Sequence, residues 1–156
     1  EITEQLGKQP PLILACCGGG GLTAGLALAC PESAVVPVEP DGWDMVGQAL
    51  AKGEIVQVAT DAPETICDAL QPPATQQFNL DILRGRVRPG VTVTDDDIRN
   101  AQRFAFAQLG LVVEPGGAAA LAAALAGKLA LIDDTTIMVT GRNVDPARFA
   151  ATIDPR

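Results

Sequence analysis

The chain has 156 residues, of which 47% are hydrophobic and 3% aromatic, and it carries a net charge of -8. That is enough apolar material for one core, and nothing marks a boundary between two. The acidic balance and the lack of any Lys/Arg cluster argue against nucleic acid or an anionic membrane as partner, because both reward clustered cations.

The uninterrupted apolar runs are far shorter than a bilayer span, and no charged segment with a cleavage site precedes one, so a soluble, cytoplasmic protein with a small-molecule partner is expected. There is no histidine and no tyrosine, and Ser33 is the only serine, which excludes a Ser-His triad or a Cys-His pair within the chain. Cys16, Cys17, Cys30 and Cys67 lack C-x-x-C spacing and read as small buried apolar residues rather than a disulfide or zinc framework.

The first residue is Glu1, and Glu1 to Leu6 reads as the last turns of a helix, as if the chain were cut from something longer. Leu12 to Cys17 is apolar on both alternating faces, which suits an interior strand of a parallel sheet. Gly18 to Gly21 follow, then a helix from Leu22 to Ala29 that Pro31 closes. Ala34 to Val38 form a second β-rich run ending at Glu39 and Pro40. Trp43, Val46, Ala49 and Leu50 have helical spacing over Asp41 to Lys52, and Gly53 ends that helix.

Between Gln57 and Gln77 three prolines, Pro63, Pro72 and Pro73, break the pattern, and no element is predicted. Val91 to Thr94 reads as a short strand. Thr94 and Asp97 then make an N-terminal cap for a helix to Leu109, with Ile98, Ala101, Ala105 and Leu109 on its apolar face. Glu114 to Gly117 introduce an alanine-rich helix to Ala126, Thr136 to Thr140 is a strand, and a helix runs from Pro146 to Ile153. Alternating strands and helices predict an α/β fold.

The glycine run between a strand and a helix admits three readings. It is a tight turn without a ligand; or an anion cradle, since the first N–H groups of a helix have no intrahelical partner; or a dinucleotide site. For the last, Gly19, Gly21 and Ala24 satisfy G-x-G-x-x-A, and Glu39 stands where an acidic residue would hold a ribose.

The blocks G-G-G-G-L-T-A-G from Gly18 to Gly25, V-E-P from Val38 to Pro40, T-I-C-D-A-L from Thr65 to Leu70, V-T-D-D-D-I from Val93 to Ile98, V-E-P-G-G-A-A-A-L-A-A from Val113 to Ala123 and T-G-R-N-V-D from Thr140 to Asp145 occur in that order. Together they resemble the C-terminal half of the threonine/serine dehydratases (ammonia-lyases) and serine racemases, pyridoxal 5′-phosphate enzymes of the tryptophan-synthase-β fold type (fold type II). The resemblance implies an open, mostly parallel twisted sheet with helices on both faces, part of that fold's large domain. It also implies elimination and deamination of a hydroxy amino acid (threonine, serine or 3-hydroxyaspartate) to a 2-oxo acid and ammonia.

Carried over by position, the resemblance assigns the cofactor phosphate to Gly18, Gly19, Gly20, Gly21 and the N–H of Leu22. Thr140 falls opposite the pyridine nitrogen, with capping of its own strand as the structural alternative. Asn143 would fix the turn, Glu114 would lie close to the cofactor, and Gly25 reads as a helix-packing residue. Arg142 replaces the usual second glycine of the turn, and would either crowd the ring or point outward.

Glu39 matches a ligand for a divalent cation, but Met45 stands where a second acidic ligand is expected. A thioether suits Mg²⁺ or Ca²⁺ badly and Asp44 would have to reorient, so a weak or lost metal site is implied and a structural role for Glu39 stays open.

The Schiff-base lysine of an S-x-K motif is missing, because Lys8, Lys52 and Lys128 sit in no such context; the loop that grips the substrate carboxylate is missing too. No catalytic residue of the resembled enzymes therefore lies in this chain, which reads as a single cofactor-binding domain whose N-terminal half is absent. Three hypotheses follow: a piece of an ammonia-lyase or racemase, a non-catalytic phosphate-binding or interaction module, or a nicotinamide-binding domain. A sheet without its partner exposes apolar surface, so homo-oligomerisation is expected.

Overall fold

The computed structural model describes residues 1–154. Its elements in chain order are α1 (Ile2–Leu6), β1 (Leu12–Cys16), α2 (Gly21–Ala29), β2 (Ala34–Pro40), α3 (Met45–Lys52), α4 (Gln77–Leu83), β3 (Val91–Val93), α5 (Asp95–Leu109), α6 (Ala119–Leu125), β4 (Thr136–Ile137) and α7 (Pro146–Ile153), with short 3-10 turns at Asp68–Leu70 and Gly116–Ala118. The four strands form one parallel sheet in the order β3-β2-β1-β4. Among the described residues no helix is long and apolar enough to cross a membrane.

β1 is buried along its whole length because both its faces are apolar. Leu12, Leu14 and Cys16 join Val36 and Val38 of β2 under α5 and α6, while Ile13 and Ala15 join Val35 under Leu26 and Ala27 of α2. Helices thus cover both faces of the sheet, as the alternating elements predict. Burying each large aliphatic side chain contributes about 1.5–3 kcal/mol. Ala119, Ala120, Ala122 and Ala123 of α6 are equally buried, and with no side chain beyond Cβ they let this helix lie close on β1 and β2.

Four expectations need correction. The helix predicted from Asp41 begins only at Met45, because Gly42 takes a left-handed φ of 77° and Trp43 N–H closes a turn on the Pro40 carbonyl at 2.9 Å. Trp43 lies in that turn, its indole N–H donating to the Pro63 carbonyl at 2.8 Å. The last predicted strand pairs only over Thr136–Ile137, since the chain then turns from β1 toward the loop before α6. Gly25 is exposed, and a Cβ there would meet nothing within 4 Å, so it answers no packing demand. Leu109 is 51% exposed; the buried side of α5 is Ile98, Ala101, Gln102 and Ala105. Gln102 is tolerated there because its amide donates to the Val113 carbonyl at 2.8 Å, satisfying a group on the loop that leads to α6.

The segment without a prediction holds the Asp68–Leu70 turn, and beyond it α4 went unforeseen. A seven-residue helix with two buried residues, Leu80 and Leu83, is too short to show a period.

α5 begins as predicted. Asp97 N–H donates to Thr94 Oγ1 at 3.1 Å, Thr94 N–H donates to the Asp97 carboxylate at 3.0 Å, and Lys128 reaches that carboxylate at 3.2 Å. Burial is the largest single influence on Asp97 and raises its pKa, but the Thr94 amide and hydroxyl and the Lys128 ammonium together outweigh it, so the group lies below its ordinary 3.8. A depressed carboxylate contributes stability that is present above the unfolded value and lost as pH falls through the folded one. Thr94→Ala should therefore cost about 1 kcal/mol in urea unfolding at neutral pH. Asp97→Asn should flatten the fall in thermal midpoint below pH 3.8, and an unchanged acid limb would count against this capping role.

Candidate functional site

From β1 the chain passes to β2 and then β3 on one side, and β4 is added later on the other side of β1. The direction of winding reverses between β1 and β4, and in open parallel sheets the crevice at the C-terminal ends of such strands is where ligands bind. The glycine loop leaves β1 at that end and Thr140 leaves β4 there.

The ladder persists for one residue past β1, with Cys17 N–H donating to the Val38 carbonyl at 2.8 Å, and Gly18 to Gly21 then carry the chain into α2. Gly20 has a φ of 89°, and a Cβ on it would press to 3.1 Å from Leu83 of α4, so glycine is required there. The first intrahelical bond of α2 runs from Ala24 N–H to the Gly20 carbonyl, and no side chain caps the helix. The amides of Gly21, Leu22 and Thr23 precede that bond and are left for an anion.

Two residues that sequence reasoning missed hold the loop in place. Thr75 Oγ1 and Asn79 Nδ2 both donate to the Gly19 carbonyl at 2.8 Å. These two bonds fix the Gly19 carbonyl toward α4 and with it the course of the loop. The only sequence signal was a Thr and an Asn bracketing the start of a short apolar pair, in a region punctuated by prolines.

The opposite wall is stitched from the loop before α6 and the turn after β4. Thr140 N–H donates to the Gly117 carbonyl and Glu114 N–H to the Gly141 carbonyl, both at 3.2 Å, and Asn143 N–H donates to the Glu114 carboxylate at 3.1 Å. Gly117 has no alternative, since a Cβ there would overlap the Thr140 carbonyl. The Thr140 hydroxyl lies 3.3 Å from Cys16 Sγ. Burial pushes the Cys16 thiol up, against the pull of that hydrogen bond, and raises Cys17 as well, so both stay neutral thiols and neither is a poised nucleophile. Arg142 is exposed.

Sequence-predicted residues thus gather at the ends of two adjacent strands: Gly18 to Gly21 and Leu22 after β1, and Thr140 with Glu114 and Asn143 after β4. Glu39 serves α3 instead. It is 1% exposed and its carboxylate accepts the Val46 and Gly47 N–H groups, each at 2.9 Å, so it is turned into the α3 N-terminus and away from solvent, where a ribose would have to reach it. Burial pushes this carboxyl up to about 7 despite those two amides.

Residues 1–141 match the family described as pyridoxal-phosphate dependent enzyme. The chain is 36% identical over 155 residues to serine racemase of Schizosaccharomyces pombe, covering 96% of this chain and 47% of that protein. It is 35% identical over 156 residues to phenylserine dehydratase of Ralstonia pickettii, covering 96% and 47%. Among solved structures, a threonine deaminase from T.th. superposes with a TM-score of 0.83 at 34% identity, covering 92% of this chain and 49% of that one. Maize serine racemase superposes with a TM-score of 0.84 at 29% identity, covering 97% and 48%. The chain spans about half the length of the curated relatives it matches. With its parallel sheet, its glycine loop at the switch point and this match over nearly the whole length, the chain belongs to the pyridoxal-phosphate dependent enzyme family.

Proposed function

We propose that this chain is the cofactor-holding part of an enzyme that removes water and ammonia from a hydroxy amino acid, leaving a 2-oxo acid. Threonine, serine and 3-hydroxyaspartate are the substrates in view, and the similarity to a phenylserine dehydratase, a hydroxyaspartate ammonia-lyase and a threonine deaminase supports that class.

One observation carries the cofactor side of the reading. A Cβ on Gly19 or on Gly21 would meet nothing within 4 Å, and neither has a positive φ. The fold does not demand glycine at these two positions, whereas a phosphate approaching the amides does. The amides of Gly21 and Leu22 would hold the phosphate, with the dipole of α2 favouring its negative charge. The Thr140 hydroxyl would take the pyridine nitrogen, and Glu114, fixed by the Asn143 amide, would border the ring.

Bound pyridoxal phosphate supplies an electron sink for a carbanion at Cα. Thr140 and Cys16 are both neutral, so no carboxylate holds a proton on the ring nitrogen, which suits chemistry in which a β-hydroxyl leaves promptly. The base at Cα comes from outside this chain. Lys8 pairs with Asp134 at 2.6 Å, Lys128 pairs with Asp97, and Lys52 is exposed in the last turn of α3. An N-terminal half carrying the Schiff-base lysine and the substrate-carboxylate loop completes the enzyme on this reading, and it would also cover apolar side chains such as Leu131 and Ile132.

Two outcomes are expected. Gly21→Ala, at the first position of α2, should leave the thermal midpoint unchanged or raise it, yet weaken pyridoxal phosphate and inorganic phosphate about ten- to a hundredfold in a titration, the loss of one charge-assisted hydrogen bond; equal affinity would sink the cradle. The chain alone should form no 2-oxo acid from threonine or serine, and borohydride should fix no cofactor on a lysine. Turnover with an adduct on Lys8, Lys52 or Lys128 would overturn the assignment of the base to a missing half.

A further inference from the structure

Glu39 matches a divalent-cation ligand of the resembled dehydratases and racemases, and the donor set found around it does not fit a cation. Glu39 Oε1 accepts from Val46 N–H and Oε2 from Gly47 N–H, each at 2.9 Å, so both oxygens face hydrogen-bond donors. Where a second acidic ligand would stand, Met45 is 1% exposed and offers a thioether, a soft donor that hard Mg²⁺ or Ca²⁺ does not select. The α3 backbone also closes in on the carboxylate, since a Cβ on Gly47 would lie 3.2 Å from Oε2. Among the described residues no three His, Cys, Asp or Glu side chains gather into a metal cluster.

We infer that Glu39 alone clamps the N-terminus of α3 to β2, through the Val46 and Gly47 amides, and that no divalent cation is held there. A carboxyl at a helix N-terminus satisfies two amides that have no intrahelical partner and sits at the favourable end of the helix dipole. The clamp matters to the site because Val46 packs with Cys17, Ala24 and Leu83 in one buried cluster, and Leu83 also backs Gly20. Glu39 is thus a positioning residue under the glycine loop. This inference is independent of the reaction proposed above.

Thermal melts of the chain in a chelator and in millimolar Mg²⁺ or Ca²⁺ should superimpose, whereas a cation held at about a hundred times its Kd would raise Tm by about 5 °C or more. A rise that disappears in Glu39→Gln overturns the inference; a rise that Glu39→Gln retains places the cation elsewhere and upholds the clamp. Should Glu39→Gln fail to fold, calorimetric titration of Ca²⁺ into the native chain and into Asp44→Asn decides, Asp44 being the carboxylate whose charge acts on Glu39. A saturable heat abolished by Asp44→Asn overturns the inference. No saturable heat, or one that Asp44→Asn leaves unchanged, upholds it.

Discussion

The hydrogen bond from Thr140 N–H to the Gly117 carbonyl fixes where the chain leaves the sheet after β4, and the placement of the rest of the site depends on it. Up to Met138 the last strand still belongs to the sheet, its N–H reaching the Leu14 carbonyl at 2.9 Å. At Thr140 the backbone donor goes to the loop before α6 instead, so β4 and β1 part at their C-terminal ends. β1 stays paired to β2 through Cys17 and then releases the glycine loop on the other side of the gap. Two chain segments far apart in sequence therefore diverge from adjacent strands, which a parallel sheet with a reversal of winding makes possible.

That divergence is possible only because the chain between α5 and α6 is thin. Gly117 has no Cβ to hold the two backbones apart, and the buried alanines after it let the loop sink against β1. Backbone and side-chain polar groups are paired here from the buried Gln102 out to the exposed Gly141 and Asn143. Val113 takes the Gln102 amide, Gly141 takes Glu114 N–H, and the Glu114 carboxylate takes Asn143 N–H. The wall that carries Thr140 is held by backbone hydrogen bonds rather than by large side chains.

How much of this was legible in the residues depends on whether the signal was local. β1, β2, α2, α5 and the alanine-rich helix were read correctly because their patterns are self-contained: an apolar run, a glycine junction, a capping box. α3 was placed too early because its spacing was read without Gly42's left-handed turn. α4 left no trace because its role lies outside its own sequence. Asn79 and the adjacent Thr75 act on the Gly19 carbonyl across more than fifty residues of chain. No periodicity encodes a contact of that kind. Glu39 shows the reverse case: its position in a V-E-P block suggests a ligand, while its partners are two amides a few residues on, visible only once α3 folds back over the strand end.

The composition of the cradle bears on how it recognises its ligand. Among the described residues, the side chains found against the loop include those of Cys17, Leu70, Thr75, Asn79 and Leu83, all uncharged, in a chain of net charge -8. On the proposed reading a phosphate dianion is held against that overall field by fixed backbone dipoles alone. Dipoles aligned by a helix and a pinned carbonyl act over one turn and fall off steeply, unlike a cationic patch that collects any polyanion from a distance. Such a site discriminates by shape, since only a ligand that can bring its phosphate into contact with the amides gains anything. On the same reading the neutral Thr140 and Cys16 at the far wall continue this logic, and the lysine amine that the proposed chemistry requires would come from outside the residues described.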